Sequence, residues 1–486
     1  MKVKITGNYE ERLNIAIQRL LRAFRRDAEL VNDEADIEIK MMIEEINKRM
    51  SVKVSTKDEN LSDEEIVHDD SDRKYLILRA LYRLLTIIFK KELAYGVLTG
   101  IRPTKLVYMY KGKLTDEEIK QLLMNKYAVS IEKANLLIEV VNNQTRKYGD
   151  ITRFKDEVSI YINIPFCPSR CVYCSFTSYP LNYQKVSQEA YLEVLLEEIK
   201  SVGMFLRNHN IPITTIYVGG GTPTALTNEN FERLLIGIEE YLLYNPVREY
   251  TIECGRPDTI NEYKLRLIKE HQVSRISVNP QTFNDETLSK MNRTHTTSEI
   301  INTYQLARDI GLDNINMDLI IGLPEEKLDT YIYSLNKILA LEPDNITVHY
   351  LAEKRSSDLY QQDIDFEKHD YHIFFNYAYH ILKNNGYIPY YLYRQKHITG
   401  NLENIGYCKV GKECLYNILM IEEAQTILGL GCNASTKFSD YHLILNPKDL
   451  ISYMHSYKSY LEKKLQYFEE MRNRYDGSLF SEHEYE

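Results

Sequence analysis

The sequence predicts an α/β protein centred on a parallel sheet, either a barrel or an open doubly wound sheet. Two observations carry this. From residue 158 onward short apolar strands at 158–164, 214–218, 249–253, 275–278, 314–320 and 345–351 alternate with helical stretches. Six strands separated by helices pair in parallel through right-handed crossovers. The chain's 486 residues, 44% hydrophobic and 27% charged, also match ordinary globular usage, with length for about three domains.

The chain opens with a strand over residues 2–6. A helix follows, in which Leu13, Ile15, Ile17, Leu20 and Leu21 recur near helical spacing. Alternating segments at 36–40 and 51–55 read as strands. Residues 58–72 hold eight carboxylates with almost no apolar residue, so a solvated loop is expected there. Helices are predicted over 75–92, 115–126 and 131–148, which makes residues 1–150 a small N-terminal α/β domain. The core spans 151–360, and its first crossover helix carries the stripe Leu192, Leu195, Leu196, Ile199 and Val202. Residues 361–486 form a mixed, mainly helical region. It comprises a helix at 369–384, a tyrosine-rich segment, a glycine-rich turn at 429–431, a terminal helix at 448–474 and about a dozen frayed residues.

No apolar run approaches the roughly 18 residues of a spanning helix. The first residues also lack the apolar stretch of a signal peptide, so a cytoplasmic protein is expected. A formal charge of -10 without a basic stripe argues against a nucleic-acid partner. Seven cysteines in a long intracellular chain point to thiolate chemistry or burial rather than a disulfide framework. Thirty-nine tyrosines beside no tryptophan carry no functional reading.

In such sheets the chemistry sits at the C-terminal ends of the strands, where the motifs fall. The first strand runs into Cys167-Pro-Ser-Arg-Cys171-Val-Tyr-Cys174. Three thiolates at this spacing can face one centre. A structural zinc or an ordinary iron–sulfur cluster takes four ligands, whereas a four-iron cluster held by three keeps one iron open; a zinc site completed from elsewhere and coincidence are the alternatives. The second strand ends in Gly219-Gly220-Gly221-Thr222-Pro223, which lets backbone approach a ligand with no Cβ in the way. Glu253, Gln281 and Asp318 stand at later strand ends, and Arg293 lies between the fourth and fifth strands. Carboxylates there suit ribose hydroxyls or a ligand ammonium, and Gln and Arg suit a carboxylate. Ordinary loop hydrogen bonds are the alternative.

Together the cysteine motif and the GGGTP turn match the radical S-adenosylmethionine (SAM) pattern. With Gln281-Thr-Phe-Asn, Asn292-Arg293 and Asp318-Leu-Ile-Ile-Gly-Leu-Pro, the core resembles the superfamily of oxygen-independent coproporphyrinogen dehydrogenases and heme chaperones. Thr99-Gly-Ile-Arg-Pro-Thr-Lys105, Tyr393-Arg-Gln-Lys, Gly400-Asn-Leu-Glu-Asn-Ile-Gly-Tyr407 and Tyr416-Asn-Ile are similar to its HemZ branch. The resemblance implies a partial (β/α)6 radical SAM barrel. It also implies a [4Fe-4S] cluster on Cys167, Cys171 and Cys174, and SAM contacts from Tyr161, Tyr173, Gly220 and Glu253. A second SAM would meet Gly221, Thr222, Gln281, Arg293, Asp318 and Ala352. The implied reaction converts two propionates of coproporphyrinogen III to vinyls, giving protoporphyrinogen IX. The partners are a porphyrinogen or heme and an electron donor such as flavodoxin or ferredoxin.

Two positions depart from the dehydrogenase pattern. Asn163 replaces a histidine, and Phe176 stands where a fourth cysteine follows the cluster motif, an arrangement seen in the chaperones. A heme chaperone and a heme-degrading radical methyltransferase therefore stand as alternatives. Arg102, Lys105, Lys354, Arg355, Arg394 and Lys396 are candidates to meet propionates, or are surface cations. Cys408, Cys414 and Cys432 lack CxxC spacing and read as buried or free thiols, and His349 as a packed histidine.

Overall fold

The computed structural model describes residues 1–7, 11–44, 49–57, 59–66, 73–100, 102–183, 185–351, 357, 371–395 and 402–474. It divides into two compact units, one built on Met1–Val141 joined by Arg394, the other on Asn142–Tyr393 and the chain from 402 to 474. Among the described residues no helix is long and apolar enough to cross a membrane.

The first unit contains β1 (Lys2–Gly7), α1 (Asn14–Phe24), β2 (Glu29–Leu30), β3 (Ile37–Glu44), β4 (Arg49–Ser55) and β5 (Asn60–Ile66). Helices α2 (Arg73–Phe89), α3 (Thr104–Tyr110), α4 (Asp116–Tyr127) and the start of α5 (Ile131–Tyr148) follow. Its five strands are ordered β2-β1-β3-β4-β5, with β1 parallel to both neighbours and β3, β4 and β5 antiparallel. Ile37, Ile39, Val52 and Val54 alternate into a core that Ile17, Leu20 and Leu21 of α1 also join. Thr115 and Glu118 form a capping box that starts α4 where the sequence predicted.

Residues 60–66 of the acidic run are not a solvated loop but strand β5, whose partly buried face presents Asp63 and Glu65 to α2, while residues 58 and 67–72 lie outside the described residues. Arg79 Nη2 lies 2.8 Å from Glu65 Oε2, and Arg83 reaches Asp63 and Glu65 at 2.5 and 2.6 Å.

The second unit begins with β6 (Val158–Ile164), β7 (Phe166–Cys167), β8 (Tyr179–Pro180), α6 (Gln188–Asn208), β9 (Ile213–Gly220) and α7 (Asn228–Leu242). It continues through β10 (Glu249–Gly255), α8 (Glu262–Glu270), β11 (Arg275–Val278), α9 (Asp285–Lys290), α10 (Thr297–Asp309), β12 (Ile315–Ile321), α11 (Leu328–Leu341) and β13 (Asn345–Tyr350). The six predicted strands stand side by side in chain order, each parallel to the next. Their outward residues, such as Ile160, Ile162, Ile216 and Ile252, are fully buried under the helices. The inward residues are polar: Ser159, Tyr161 and Asn163 on β6, Thr251 and Glu253 on β10, Ser277 on β11 and Asn279 just past its end.

Beyond residue 370 come α12 (Tyr371–Asn384), β14 (Tyr387–Tyr393), β15 (Asn404–Lys409), α13 (Leu415–Glu422), β16 (Thr426–Leu430), β17 (Ser435–Lys437), β18 (Leu443–Leu445) and α14 (Leu450–Arg474). These strands extend the core sheet at both ends: β15 pairs antiparallel with β13, and β16 pairs parallel with β6. The tyrosine-rich segment is therefore strand β14, and the glycine-rich turn is the end of a seventh parallel strand. Gly429 is required there, because a Cβ would overlap the Ser435 carbonyl of β17. One buried carboxylate ties the C-terminal helix down. Glu198 of α6 accepts from Lys464 Nζ at 2.6 Å, Tyr453 OH at 2.7 Å and Gly431 N at 2.8 Å.

Candidate active site at the strand ends

Tyr161 and Asn163 leave β6 side by side. The Tyr161 hydroxyl donates to Asn163 Oδ1 at 3.2 Å, and Asn163 Nδ2 donates to the Cys432 carbonyl at 2.6 Å. The departure at position 163 is thus a structural tie between β6 and the turn after β16. Gly220, at φ +108°, packs on that carboxamide so closely that a Cβ would overlap Oδ1. A Cβ on Gly221 would lie 2.7 Å from Phe166 O and 3.0 Å from Cys167 Sγ. The two glycines leave a bare backbone face beside the first thiol, and the buried Thr222 hydroxyl reaches the same sulfur at 3.5 Å.

The loop carrying the cysteines is pinned from below. Val172 and Tyr173 pack against Met291, Ile320, Leu323 and Leu351. Asn292 Nδ2 donates to Arg170 O at 2.8 Å, and Ser169 Oγ donates to Asn292 O at 2.7 Å. Arg293 is buried: its Nη2 donates to Asn279 O at 2.6 Å and its Nη1 to Tyr173 OH at 3.2 Å, with Cys171 Sγ 3.9 Å from Nη1. Burial pushes Cys174 up to about 11 and raises Cys167, as suits neutral thiols.

Two acids, Glu253 on β10 and Asp318 on β12, influence one another electrostatically. Glu253 accepts from Tyr217 OH at 3.3 Å; burial, then the neighbouring Asp318 charge, push its carboxyl up to about 7. Asp318 accepts from Asn316 Nδ2 at 2.7 Å and lies 3.7 Å from His349 Nε2, while His349 Nδ1 meets Tyr393 OH at 3.3 Å. His349 is therefore a mouth residue held between an acid and a phenol, not simply a packed histidine. Gln281, at φ +67°, donates its backbone N–H to Asp318 O at 2.9 Å. Below them the rings of Tyr161, Tyr217 and Tyr416 stack, with Tyr217 and Tyr416 centroids 4.5 Å apart.

Of the predicted cluster and cofactor residues, those described lie in the cysteine loop, in the glycine turn, or on and between the core strands. Ala352 lies outside the described residues, as do Lys354, Arg355 and Lys396. Arg394 is engaged within the first unit, donating to Leu98 O at 2.6 Å and stacking on Tyr95 at 4.4 Å. The four remaining cysteines stand apart from these: Cys414 donates to Glu249 Oε1 at 3.1 Å, Cys432 to Lys448 O at 3.4 Å and Cys254 to Ile252 O at 3.7 Å, while Cys408 is buried. Tyr217, Asn279, His349 and Tyr393 were not singled out as site residues by the motifs, although their inward register on strands with known ends was the available signal.

The residues suit a cluster and SAM. Among the described residues no three Cys, His or acidic side chains are already gathered in metal-binding geometry, so the three thiols share a pinned loop without being closed on one point. Their chemistry is that of an iron–sulfur donor set, and a cation bound among them would favour the thiolates that burial disfavours. Beside them lies the bare Gly220–Gly221 backbone, and the side-chain oxygens of Ser277, Asn279 and Gln281 are buried without a partner.

A family model of the radical SAM superfamily matches residues 161–338. The oxygen-independent coproporphyrinogen-III oxidase-like protein HemZ of Bacillus subtilis is 37% identical over 97% of this chain and 98% of its own length. The chain belongs to the HemZ family of radical SAM proteins. The heme chaperone HemW of the same organism is 34% identical over 42% of this chain and 52% of its length. Coproporphyrinogen III oxidase HemN of Escherichia coli shares the fold, with a TM-score of 0.52 at 23% identity over 63% of this chain and 70% of that one. This HemZ-family protein is accordingly a partial-barrel radical SAM protein whose cofactors are a [4Fe-4S] cluster and SAM.

Proposed function

We propose that the chain is an oxygen-independent coproporphyrinogen III dehydrogenase, which oxidatively decarboxylates two propionates to vinyls and yields protoporphyrinogen IX. The observation that carries this is the near full-length match to a coproporphyrinogen-III oxidase-like relative, combined with the polar barrel mouth beside the cysteine loop. Cys167, Cys171 and Cys174 would hold the cluster. A cluster and SAM bound there would supply one-electron radical chemistry at the propionate β-carbon, and the electron left after loss of CO2 would pass to an external one-electron acceptor.

The residues of the chain perform the binding and positioning. Tyr161, Tyr173 and the Gly220 backbone would line the first SAM, and Glu253 would accept from its hydroxyl or ammonium donors. Gly221, Thr222, Gln281, Arg293, Asp318 and Ala352 would line a second. The left-handed backbone of Gln281, bonded to Asp318 O, fixes the spacing of those two side chains.

The test is anaerobic incubation of the reconstituted protein with coproporphyrinogen III, SAM and a one-electron donor. Protoporphyrinogen IX, CO2 and 5′-deoxyadenosine are expected, and absence of CO2 release by protein with a full cluster refutes the assignment. The heme-chaperone reading draws support from Phe176, 60% exposed at the position of the missing cysteine, and from the HemW relative. It predicts stoichiometric heme binding without turnover.

A further inference from the structure

Cys171 lies beneath two buried guanidinium groups. Arg256 Nη1 is 3.8 Å and Arg293 Nη1 3.9 Å from its sulfur, and the two residues are 4% and 6% exposed. Neither is placed by chance rotamer. Arg256 grips Asp258 bidentately, Nε to Oδ1 at 3.0 Å and Nη2 to Oδ2 at 2.6 Å. It also donates to Thr294 Oγ1 and, through Nη1, to Ser169 Oγ of the cysteine loop, both at 3.0 Å. The far side of the network closes on itself: His295 Nδ1 lies 3.6 Å from Asp258 Oδ1, and Arg293 Nε is 3.4 Å from His295 Nε2. Two cations therefore flank a single thiol in a desolvated place, and one carboxylate is paired with the nearer of them. Cys167 meets a neutral hydroxyl instead.

A four-iron core on three thiolates carries one net negative charge when oxidised and two when reduced. Fixed cations and N–H donors at a ligand sulfur favour the more negative state, and burial strengthens the effect. A carboxylate that partly cancels the nearer cation works against it.

We propose that Arg256 and Arg293 are positioning residues that bias a cluster ligated by Cys171 toward its reduced state, with Asp258 setting the size of the bias. This rests on the reading of Cys171 as a cluster ligand. The step is a one-electron reduction by a donor of the flavodoxin or ferredoxin class, dithionite in the assay, and it needs no proton from the network.

Wild type, Arg256→Gln, Arg256→Lys and Asp258→Asn would be reconstituted anaerobically, assayed for iron, and titrated to a midpoint potential with the reduced cluster followed by electron paramagnetic resonance. Arg256→Gln should lower the reduced-to-oxidised ratio at fixed potential about tenfold, equivalent to about 59 mV for one electron. Asp258→Asn should raise it by a similar factor, and Arg256→Lys should fall between wild type and Gln. A merely structural role would move both variants the same way or neither. Shifts of equal sign, or both below threefold in protein with full iron, overturn the proposal. Should Arg256→Gln fail to retain iron, Asp258→Asn decides alone, and no rise refutes it. If Cys171→Ala keeps four irons per chain, the ligand reading has failed instead.

Discussion

Replacing Glu253 with Gln isolates what the acid cluster costs and what it is for. Moving the Glu253 carboxyl from its ordinary 4.5 up to about 7 corresponds to about 3 kcal/mol in favour of the protonated form. The mouth side of the residue is partly open, so this figure is a ceiling. Because the folded value lies above the unfolded one, the penalty is absent below 4.5, where both states are protonated. It grows as the unfolded chain ionises and is complete once the pH passes about 7. Glu253→Gln keeps the Tyr217 contact and the shape but removes the charge. Urea denaturation of the cofactor-free protein should therefore show the variant more stable than wild type by less than about 1 kcal/mol at pH 5 and by a larger margin, up to about 3 kcal/mol, at pH 8. Equilibrium dialysis of SAM should show at least about tenfold weaker binding, the loss of a charge-assisted acceptor. Parallel stability curves for the two proteins between pH 5 and 8 would refute the account of Glu253 as a carboxylate held at a cost for ligand binding.

Replacing Cys167, Cys171 and Cys174 together with Ala should abolish the visible absorbance of the reconstituted protein, whereas Cys408→Ala with Cys414→Ala should leave it intact. In the buried pair at the C-terminal helix, Lys464→Met strands Glu198 without its cation and should cost about 3–5 kcal/mol by urea denaturation. Adding Glu198→Gln should restore much of that loss, because the isolated charge is gone.

The strands of the core were legible because each is a short apolar run bounded by helical stripes; 158–164 and 275–278 coincide with β6 and β11. Among the strands that hid, two did so for different reasons. In β5 the carboxylates of Asp63 and Glu65 looked solvated because Arg79 and Arg83 lie a helix away, and complementary charge across a tertiary contact leaves no local pattern. In β16 the glycine that permits close approach of β17 also reads as a turn. The site divides similarly. Cysteine spacing and strand-end residues announce themselves, since they belong to one loop or one register. Arg256 and His349 do not, because their significance depends on Cys171 and Tyr393, 85 and 44 residues distant.

The parallel pairing of β6 with β16 also bears on biosynthesis. β6 is flanked by β9 on one side and by β16 on the other, and β16 emerges from the ribosome some 260 residues later. Until then the strand that leads into the cysteine loop has an open edge, a template for pairing with other chains. Asn163 likewise lacks the Cys432 carbonyl it is tied to in the finished fold. A chain ending before residue 426 is expected to leave that edge of β6 open and to aggregate.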